Sequence, residues 1–344
     1  MPTTTLANET EISKGTITLA NYWHPIATID EVVEQPRSFR LLGDQVVAFR
    51  DRDGVAAFRD LCIHRGTALS LGTITDGRLT CAYHGWQYDR TGACVHIPSL
   101  PPGSSVPRKA RAIVYQAAER YGLVWVAMSE PVAPIPSWPD NAWENPEFHT
   151  RLAATYTWNA SAGRAIENAM DFSHFNFIHR GYTELADGPV IKQHHVREVE
   201  HGLEYSYDDS RIIREYSLRM PFCIHDRKVQ RPGSKSDGTW TDAAEVTDKD
   251  AVTILTLIGS PTDEKHTRLF NFVSRNHSFH LTDEEFSGQL LTVVEQDRRV
   301  VESQRPEQIP TDLRDELHLK VPDATGIAYR TALGRIQGVG PFLP

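Results

Sequence analysis

The 344-residue sequence lacks several features that would assign it to a particular protein class. Its four cysteines are too few for a disulfide framework in a chain of this size. Its longest apolar stretches, 121–128 and 251–258, fall far short of the roughly 20 residues that a membrane-spanning helix needs. Residues 1–16 contain no apolar run of signal-peptide length and are expected to form a disordered or arm-like N-terminus. These absences favour a cytoplasmic protein with no membrane segment.

Excess positive charge and a nucleotide-binding glycine motif are also missing. Lys+Arg 36 against Asp+Glu 45 gives a net charge of −9, so no nucleic-acid partner is indicated. No Gly-x-Gly-x-x-Gly follows a strand pattern, so the chain itself is not expected to bind NAD(P)H or flavin.

Two short segments each carry one cysteine and one histidine. They are Cys62-x-His64 and Cys81-x-x-His84, with sixteen residues between His64 and Cys81. A [2Fe–2S] cluster with two Cys on one iron and two His on the other needs each loop to reach both irons, and this interleaving meets that demand. Zinc is the alternative, but typical zinc patterns keep the Cys pair and the His pair apart. A glycine closely follows each histidine, which lets the backbone approach inorganic sulfur. We therefore favour the iron–sulfur cluster.

A proline cluster divides the chain. Prolines 131, 134, 136 and 139 lie within nine residues, and proline at this density stiffens a connector and bars helix. We predict a linker at 131–139 between a first domain at 17–130 and a second at 140–344. The alternative is an internal loop of the first domain. The first domain is predicted to be all-β, with strands at 38–43, 45–50, 55–58, 79–83, 86–89 and 123–128.

The second domain is predicted to combine an antiparallel sheet with flanking helices, so the fold class is α+β. One helical stretch surrounds 162–178 and the other runs from about 283 to 304. Thr282 with Glu285 gives a capping-box signature for the second stretch, and Pro306 is expected to stop it. The predicted strands are 202–207, 214–220, 252–259 and 267–274.

A second group of polar residues lies within 168–179. Asn168, Asp171 and His174 step by three, which predicts one stripe of a helix. His179 is five residues after His174, so an ideal helix would point the two imidazoles about 140° apart, and the helix must loosen or end between them if they converge. Ordinary hydrogen-bonded histidines on an amphipathic helix are the alternative. Two His and one carboxylate, however, are the ligand set of non-haem Fe(II) oxygenases.

Asp297 is the predicted third ligand. It lies mid-helix with valines before and after it, where an unpaired carboxylate is costly to bury. The alternative is a surface acid paired with Arg298 or Arg299. Glu295 and Glu302 are better candidates for surface acids, although periodicity alone does not separate them sharply from Asp297.

Together the two motifs resemble the α subunits of Rieske non-haem iron oxygenases, from about residue 20 to 335. The chain is most similar to the short α3-type members, which include the dicamba and vanillate O-demethylase, caffeine N-demethylase, phenoxybenzoate dioxygenase and saxitoxin-type groups. The commonest Rieske form has proline where Ile63 and Ala82 stand, but neither position is a ligand. The resemblance implies the cofactor ligands: Cys62 and Cys81 on one cluster iron, His64 and His84 on the other, and His174, His179 and Asp297 on a mononuclear Fe(II).

The resemblance also implies how electrons arrive. Asp171 would bridge a Rieske histidine of the neighbouring subunit to His174, and Asn168 would lie behind the ligands or act as a distant, weak ligand. Each subunit would pass electrons to the next in a C3 homotrimer. A separate ferredoxin or flavin reductase would supply NAD(P)H electrons, and the basic cluster at 108–111 is either its docking site or solvated surface.

The implied function is a terminal oxygenase that uses O2 to hydroxylate a small, aromatic or heterocyclic substrate, leading to O- or N-demethylation. One alternative is cis-dihydroxylation of an aromatic ring. Another is a Rieske electron carrier without oxygenase activity, against which the second motif argues. The pocket walls are expected from strands near 203–275, where Phe222, His225 and Asn271 either face the substrate or lie outside the pocket.

Overall fold

A computed structural model describes residues 17–33, 35–231, 251–288 and 290–339. Within these residues three antiparallel sheets and five α-helices form the α+β fold expected from the sequence. No helix in this part of the chain is long and apolar enough to cross a membrane. The strands are β1 (His24–Thr28), β2 (Arg37–Leu41), β3 (Asp44–Asp51), β4 (Gly54–Arg59), β5 (Thr73–Thr75), β6 (Arg78–Thr80), β7 (Gln87–Tyr88), β8 (Cys94–His96), β9 (Val114–Arg120), β10 (Leu123–Ala127), β11 (His149–Trp158), β12 (Arg197–Val199), β13 (Gly202–Asp208), β14 (Ile212–Arg219), β15 (Cys223–Gln230), β16 (Val252–Pro261) and β17 (Thr267–Arg275). The helices are α1 (Ala162–Met170), α2 (Phe175–Ile178), α3 (Asp283–Ser287), α4 (Leu290–Val301) and α5 (Ala324–Leu333).

The first part of the chain forms two sheets. Six strands pair in the order β1-β10-β9-β4-β3-β2, and the predicted strands near β2, β3, β4 and β10 are confirmed to within two residues. The small sheet β5-β6-β7-β8 follows β4 in sequence. Its strands β6 and β7 are shorter than predicted because the chain turns between Thr80 and Gln87. That turn carries Cys81 and His84.

The second part forms a seven-stranded sheet in the order β11-β17-β16-β15-β14-β13-β12. The four predicted strands are confirmed as β13, β14, β16 and β17. Strand β15 was not predicted, because its central residues, His-Asp-Arg-Lys, hide the alternation of a half-buried strand. Its side chains nevertheless alternate between two faces, as any strand requires.

The helix predicted over 162–178 is wrong in its middle. Helix α1 ends at Met170, and Asp171 is extended (φ −81°, ψ 135°). The Asp171 carboxylate accepts the backbone N–H groups of Ser173 (3.0 Å) and His174 (3.1 Å), which stabilises a turn in place of the next helical turn. Asn168, Asp171 and His174 therefore do not share one helical stripe, and His174 immediately precedes the single-turn α2.

The stretch predicted over 283–304 is also divided, into α3 and α4. The Thr282–Glu285 capping box is confirmed at the start of α3, where Thr282 N–H donates to the Glu285 carboxylate at 2.8 Å. Helix α4 ends at Val301, five residues before Pro306, so proline does not set its last turn.

The six-stranded and seven-stranded sheets share one hydrophobic core. Leu123 and Trp125 of β10 belong to the same buried cluster as Phe270 and Phe272 of β17. Trp138, from the proline-rich segment, is buried in that cluster too. The backbone N–H of Leu42 donates to the carbonyl of Pro261 at 2.9 Å, and Arg268 Nη1 donates to the Ile26 carbonyl at 3.0 Å. The predicted linker at 131–139 thus packs against both parts, and its standing as a domain boundary remains a prediction.

Candidate functional site

The two Cys/His turns face each other beside the small sheet. Cys62 and Cys81 are buried, at 1% and 2% exposure, and burial, together with the nearby Cys62, raises the pKa of the Cys81 thiol. The rings of His64 and His84 lie with their centroids 4.6 Å apart, and His64 stacks on Trp86 at 4.5 Å. The structure therefore brings all four predicted cluster residues together.

Tight backbone turns present these side chains. Gly66 N–H donates to the Cys62 carbonyl at 2.9 Å, and Gly85 N–H donates to the Cys81 carbonyl at 3.0 Å. Both glycines have positive φ (+73° and +69°), which side chains with a Cβ rarely adopt. The turns therefore depend on the glycines noticed in the sequence.

The donor set of these turns fits a Rieske cluster. Nδ1 of His64 is buried without a hydrogen-bond partner, which is costly unless another group binds it. Two buried thiols and two imidazoles are the ligands that such a cluster takes. The Tyr88 hydroxyl lies 3.1 Å from Cys62 Sγ and donates to it whenever that sulfur is a thiolate.

A second group of ligand-type atoms converges between α2 and α4. His174 Nε2 lies 3.2 Å from His179 Nε2. Asp297 Oδ1 lies 3.1 Å from His179 Nε2 and 3.5 Å from His174 Nε2, and it is buried without a hydrogen-bond donor. These three residues form the group of potential metal ligands found in the described part of the chain. The interruption after α1 lets the two imidazoles meet.

Neighbouring side chains fix the orientation of both rings. His174 Nδ1 donates to Asp171 Oδ2 at 2.8 Å, and His179 Nδ1 donates to Gln296 Oε1 at 2.9 Å. With the protons on Nδ1, both Nε2 lone pairs point at each other and at Asp297. Three converging acceptors repel one another unless a cation lies between them, so the residues fit Fe²⁺.

The titration behaviour of His179 reflects how close its ring lies to Asp297. Burial lowers its pKa, but the hydrogen bond and the charge of Asp297, followed by Gln296, outweigh burial and raise the pKa above the ordinary value. Gln296 was not predicted from the sequence. The available signal was its position beside Asp297, because a metal-binding histidine almost always donates its other N–H to a nearby acceptor.

Asp171 connects His174, one of the three ligand-type residues, to the surface. Burial raises the pKa of Asp171, but the hydrogen bonds from His174 and Ser173 prevail and lower it, so the carboxyl stays ionised. Its side chain remains 31% exposed and borders an open cleft. Asn168, on α1, borders both this cleft and the inner cavity beside the three ligand-type residues.

Helix α1 is held in place by buried ion pairs. Arg330 of α5 donates to Glu167 at 2.5 Å and to Glu316 at 2.7 Å. Arg164, also buried, donates to Glu316 at 2.6 Å. Because Asn168 directly follows Glu167, this network sets the position of the helix end beside the three ligand-type residues.

A mostly apolar cavity adjoins the three ligand-type residues. Of the three pocket candidates from the sequence, Asn271 lines this cavity. Phe222 instead belongs to a neighbouring hydrophobic cluster. His225 projects from the other face of β15, where it bonds Thr256 Oγ1 at 2.8 Å. The apolar wall consists of Trp158, Ala169, Phe175, Ile224, Leu255, Leu257, Leu290, Val293 and Val294.

Comparisons with known proteins agree along most of the chain. The Rieske [2Fe-2S] domain family matches residues 22–116, and the vanillate O-demethylase oxygenase C-terminal domain family matches 158–337. The methylxanthine N1-demethylase NdmA of Pseudomonas putida is 30% identical over 342 residues, covering 93% of this chain and 89% of that protein. The 3-chlorobenzoate-3,4-dioxygenase oxygenase subunit of Comamonas testosteroni is 29% identical, covering 74% and 58%.

Solved structures show the same architecture. The NdmA QL mutant of Pseudomonas putida with theobromine has a TM-score of 0.79 at 30% identity, covering 92% of this chain and 90% of that one. Dicamba monooxygenase bound to dicamba has a TM-score of 0.74 at 21% identity, covering 93% and 97%, and shares the fold.

Proposed function

Because this chain belongs to the Rieske non-haem iron oxygenases, we propose that it is the oxygenase component of an N-demethylating system. Rieske oxygenases carry a [2Fe–2S] cluster and a mononuclear iron. They act on small organic substrates with O2 and receive electrons from a separate reductase or ferredoxin. The proposal concerns the reaction, the substrate class and the residues responsible.

The cofactor ligands are part of the proposal. The cluster would be held by Cys62, His64, Cys81 and His84, which the buried thiols and the unpartnered His64 Nδ1 support. The mononuclear iron would be held by His174, His179 and Asp297, whose ligand-type atoms all lie within 4.8 Å of one another. The cluster supplies single electrons and the iron supplies the site of O2 reduction.

The protein side chains would control ligand geometry and water access. Asp171 and Gln296 hold the two imidazoles in the Nδ1–H tautomer, which leaves Nε2 free to bind metal. The apolar wall holds the substrate beside the ligands and excludes water. Asn168, at the end of α1, borders this space and is placed to contact a ligand or a bound water.

The observation that carries the proposed reaction is the likeness to methylxanthine demethylases over nearly the whole chain. NdmA and the methylxanthine N3-demethylase NdmB of Pseudomonas putida are 30% and 31% identical, and NdmB covers 85% of this chain. Hydroxylation of an N-methyl group, with O2, two electrons and two protons, gives an N-hydroxymethyl product and water. That product loses formaldehyde to leave N–H.

We also propose that the protein acts as a homotrimer in the reducing cytoplasm, with a Rieske domain at 17–130 and a catalytic domain at 140–344. The partly exposed Asp171, hydrogen-bonded to His174 and bordering an open cleft, supports a contact there with a histidine of the neighbouring Rieske domain. The exposed Phe177 (70%) and Leu317 (90%) are further apolar surface that such a contact would cover.

Ring cis-dihydroxylation is the second candidate, favoured by the 29% identity to the 3-chlorobenzoate dioxygenase subunit. The two reactions give different products. Oxygen uptake with a surrogate reductase, N-methyl heterocycles and aromatic acids, followed by mass analysis, would show formaldehyde for demethylation and a diol for dihydroxylation. Formaldehyde without a diol is the expected result, and a diol without formaldehyde would replace the proposal by the second candidate.

The same assay tests whether the chain is an oxygenase or an electron carrier. His174→Ala should abolish turnover while leaving the visible spectrum of the cluster unchanged, because His174 lies outside the Cys/His turns. Turnover that survived this substitution would contradict the proposed iron site.

A further inference from the structure

The apolar cavity contains one ion pair in its wall. Asp226 and Lys228 both line the cavity, together with His174, His179 and Asp297. Lys228 Nζ lies 3.5 Å from Asp226 Oδ2, and the two side chains are only 7% and 13% exposed. Burying two charges is expensive and gains little stability over an apolar pair, so an ion pair in a substrate cavity calls for a functional explanation.

Strand geometry directs both side chains to the cavity. Ile224, Asp226 and Lys228 are every second residue of β15, so their side chains lie on the same face of the strand, and all three line the cavity. The intervening Arg227 projects to the other face, where it binds Asp140 and Glu215, each at 2.7 Å. The position of the ion pair is therefore fixed by the register of a central strand.

The wall retains hydrogen-bonding capacity. Asp226 Oδ1 is buried without a partner. Three neutral atoms of cavity-lining residues, Trp158 Nε1, Thr183 Oγ1 and Asn271 Oδ1, also lack partners. Such atoms are costly in an apolar environment unless a bound molecule or water satisfies them.

We propose that Asp226 and Lys228 bind and orient the substrate, and that the substrate is a neutral molecule with an N–H beside a C=O, as in a cyclic amide or imide. The N–H would donate to the Asp226 carboxylate and the C=O would accept from the Lys228 ammonium. This deepens the proposed function, on which it rests, by naming the part of an N-methyl heterocycle that is recognised.

Charge balance separates this substrate class from aromatic acids. The pair is neutral as a whole, so a neutral amide bonds to both charges without separating them. A substrate carboxylate would compete with Asp226 for Lys228 and add a second buried negative charge beside Asp226. Aromatic acids should therefore bind weakly to the unsubstituted protein.

Three probes test the proposal in the iron-loaded holoenzyme without reductase, using calorimetric Kd values. Theobromine has an imide N–H between two carbonyls, caffeine carries a methyl group on that nitrogen, and dicamba is a carboxylate. We expect theobromine to bind about 10- to 100-fold more tightly than either of the others, the range for a hydrogen bond to a charged group.

Substitutions at the pair should change this preference. The double variant Asp226→Asn/Lys228→Met removes both charges of the pair together, and it should weaken theobromine binding about 10- to 100-fold while changing caffeine less than about threefold. Asp226→Asn alone should tighten dicamba binding, because the Asp226 carboxylate then no longer competes with the ligand for Lys228. Arg227→Met, on the same strand but the opposite face, is the matched control and should change none of the three.

Several outcomes would overturn the proposal. They are equal binding of theobromine and caffeine by the unsubstituted protein, dicamba as the tightest ligand, no binding of theobromine, or a theobromine preference that survives the double variant. Turnover is measured separately. If formaldehyde is released but the double variant keeps the preference for theobromine over caffeine, only the role of the ion pair is refuted. If the double variant loses that preference but no formaldehyde is released, only the proposed reaction is refuted.

Discussion

Gln296 offers the sharpest test of how the proposed iron ligands are oriented. Its Oε1 accepts the Nδ1–H of His179, which is 1% exposed, at 2.9 Å. In Gln296→Leu this N–H would be buried without an acceptor, at a cost of about 1–3 kcal/mol. The imidazole can avoid that cost by moving its proton to Nε2, where it donates to Asp297 and competes directly with the metal.

The expected consequence is weaker iron binding. At 1.4 kcal/mol per factor of ten, the cost corresponds to about 5- to 150-fold, which agrees with the roughly 10- to 100-fold effects typical of partners behind metal ligands. Competition with a ferrous chelator would measure the affinity, and total iron per chain would fall from about three toward the two of the cluster. The visible spectrum of the cluster should not change.

Two variants serve as controls. Gln296→Glu keeps an acceptor and should retain iron. Glu295→Gln alters an exposed neighbour on α4 that pairs with Arg298, and it should have no effect. If Gln296→Leu bound iron within twofold of the unsubstituted protein, the tautomer argument would be refuted.

Three other predictions concern the cluster, pH and packing. Tyr88→Phe should lower the cluster reduction potential by about 40–60 mV, measured by redox titration, because the reduced cluster loses a hydrogen bond of about 1–1.5 kcal/mol to Cys62 Sγ. Burial lowers the pKa of His24 to about 4 and that of His225 to about 3, below the ordinary 6.5. The stabilisation from these neutral histidines should therefore be complete above pH 6.5 and be lost as the pH falls toward 3–4. In His225→Gln, the number of protons taken up on unfolding, obtained from thermal melts at several pH values, should fall by about one. Gly163→Ala should cost about 1–3 kcal/mol in urea unfolding because its Cβ would overlap Ile309 Cγ2. Gly326→Ala should cost far less, because its Cβ would approach only the Glu167 carboxylate, at 3.2 Å.

The candidate metal sites could be predicted from sequence because their residue types are rare and closely spaced. Cys62, His64, Cys81 and His84 need only two local turns to come together. His174 and His179 are likewise local, and Asp297 was identified by the energetic cost of burying a carboxylate among valines. The roles of all these residues as ligands remain predictions that the experiments above test.

The rest depended on long-range packing that local patterns do not encode. Asp171 has ordinary helical spacing from Asn168, yet its side chain captures the backbone N–H of His174 and ends the helix. Asp226 and Lys228 appear as surface charges until β14 and β16 enclose β15 in the sheet. Gln296 acquires significance only when α4 reaches His179. In each case a distant partner decided between two locally acceptable arrangements.

The core shared by the two large sheets bears on the construction of chimaeras. Leu123 and Trp125 pack against β17, and the backbone of Leu42 bonds to the end of β16. The part of the chain before the proline cluster therefore cannot be exchanged as an independent unit. Transplanting residues up to the prolines alone would leave Phe270 and Phe272 facing unmatched side chains. A replacement for residues up to the prolines, taken from a relative, would need strand surfaces that match β17. Changing the electron donor by such an exchange would therefore also require redesign of the face of the seven-stranded sheet that packs against the replaced part.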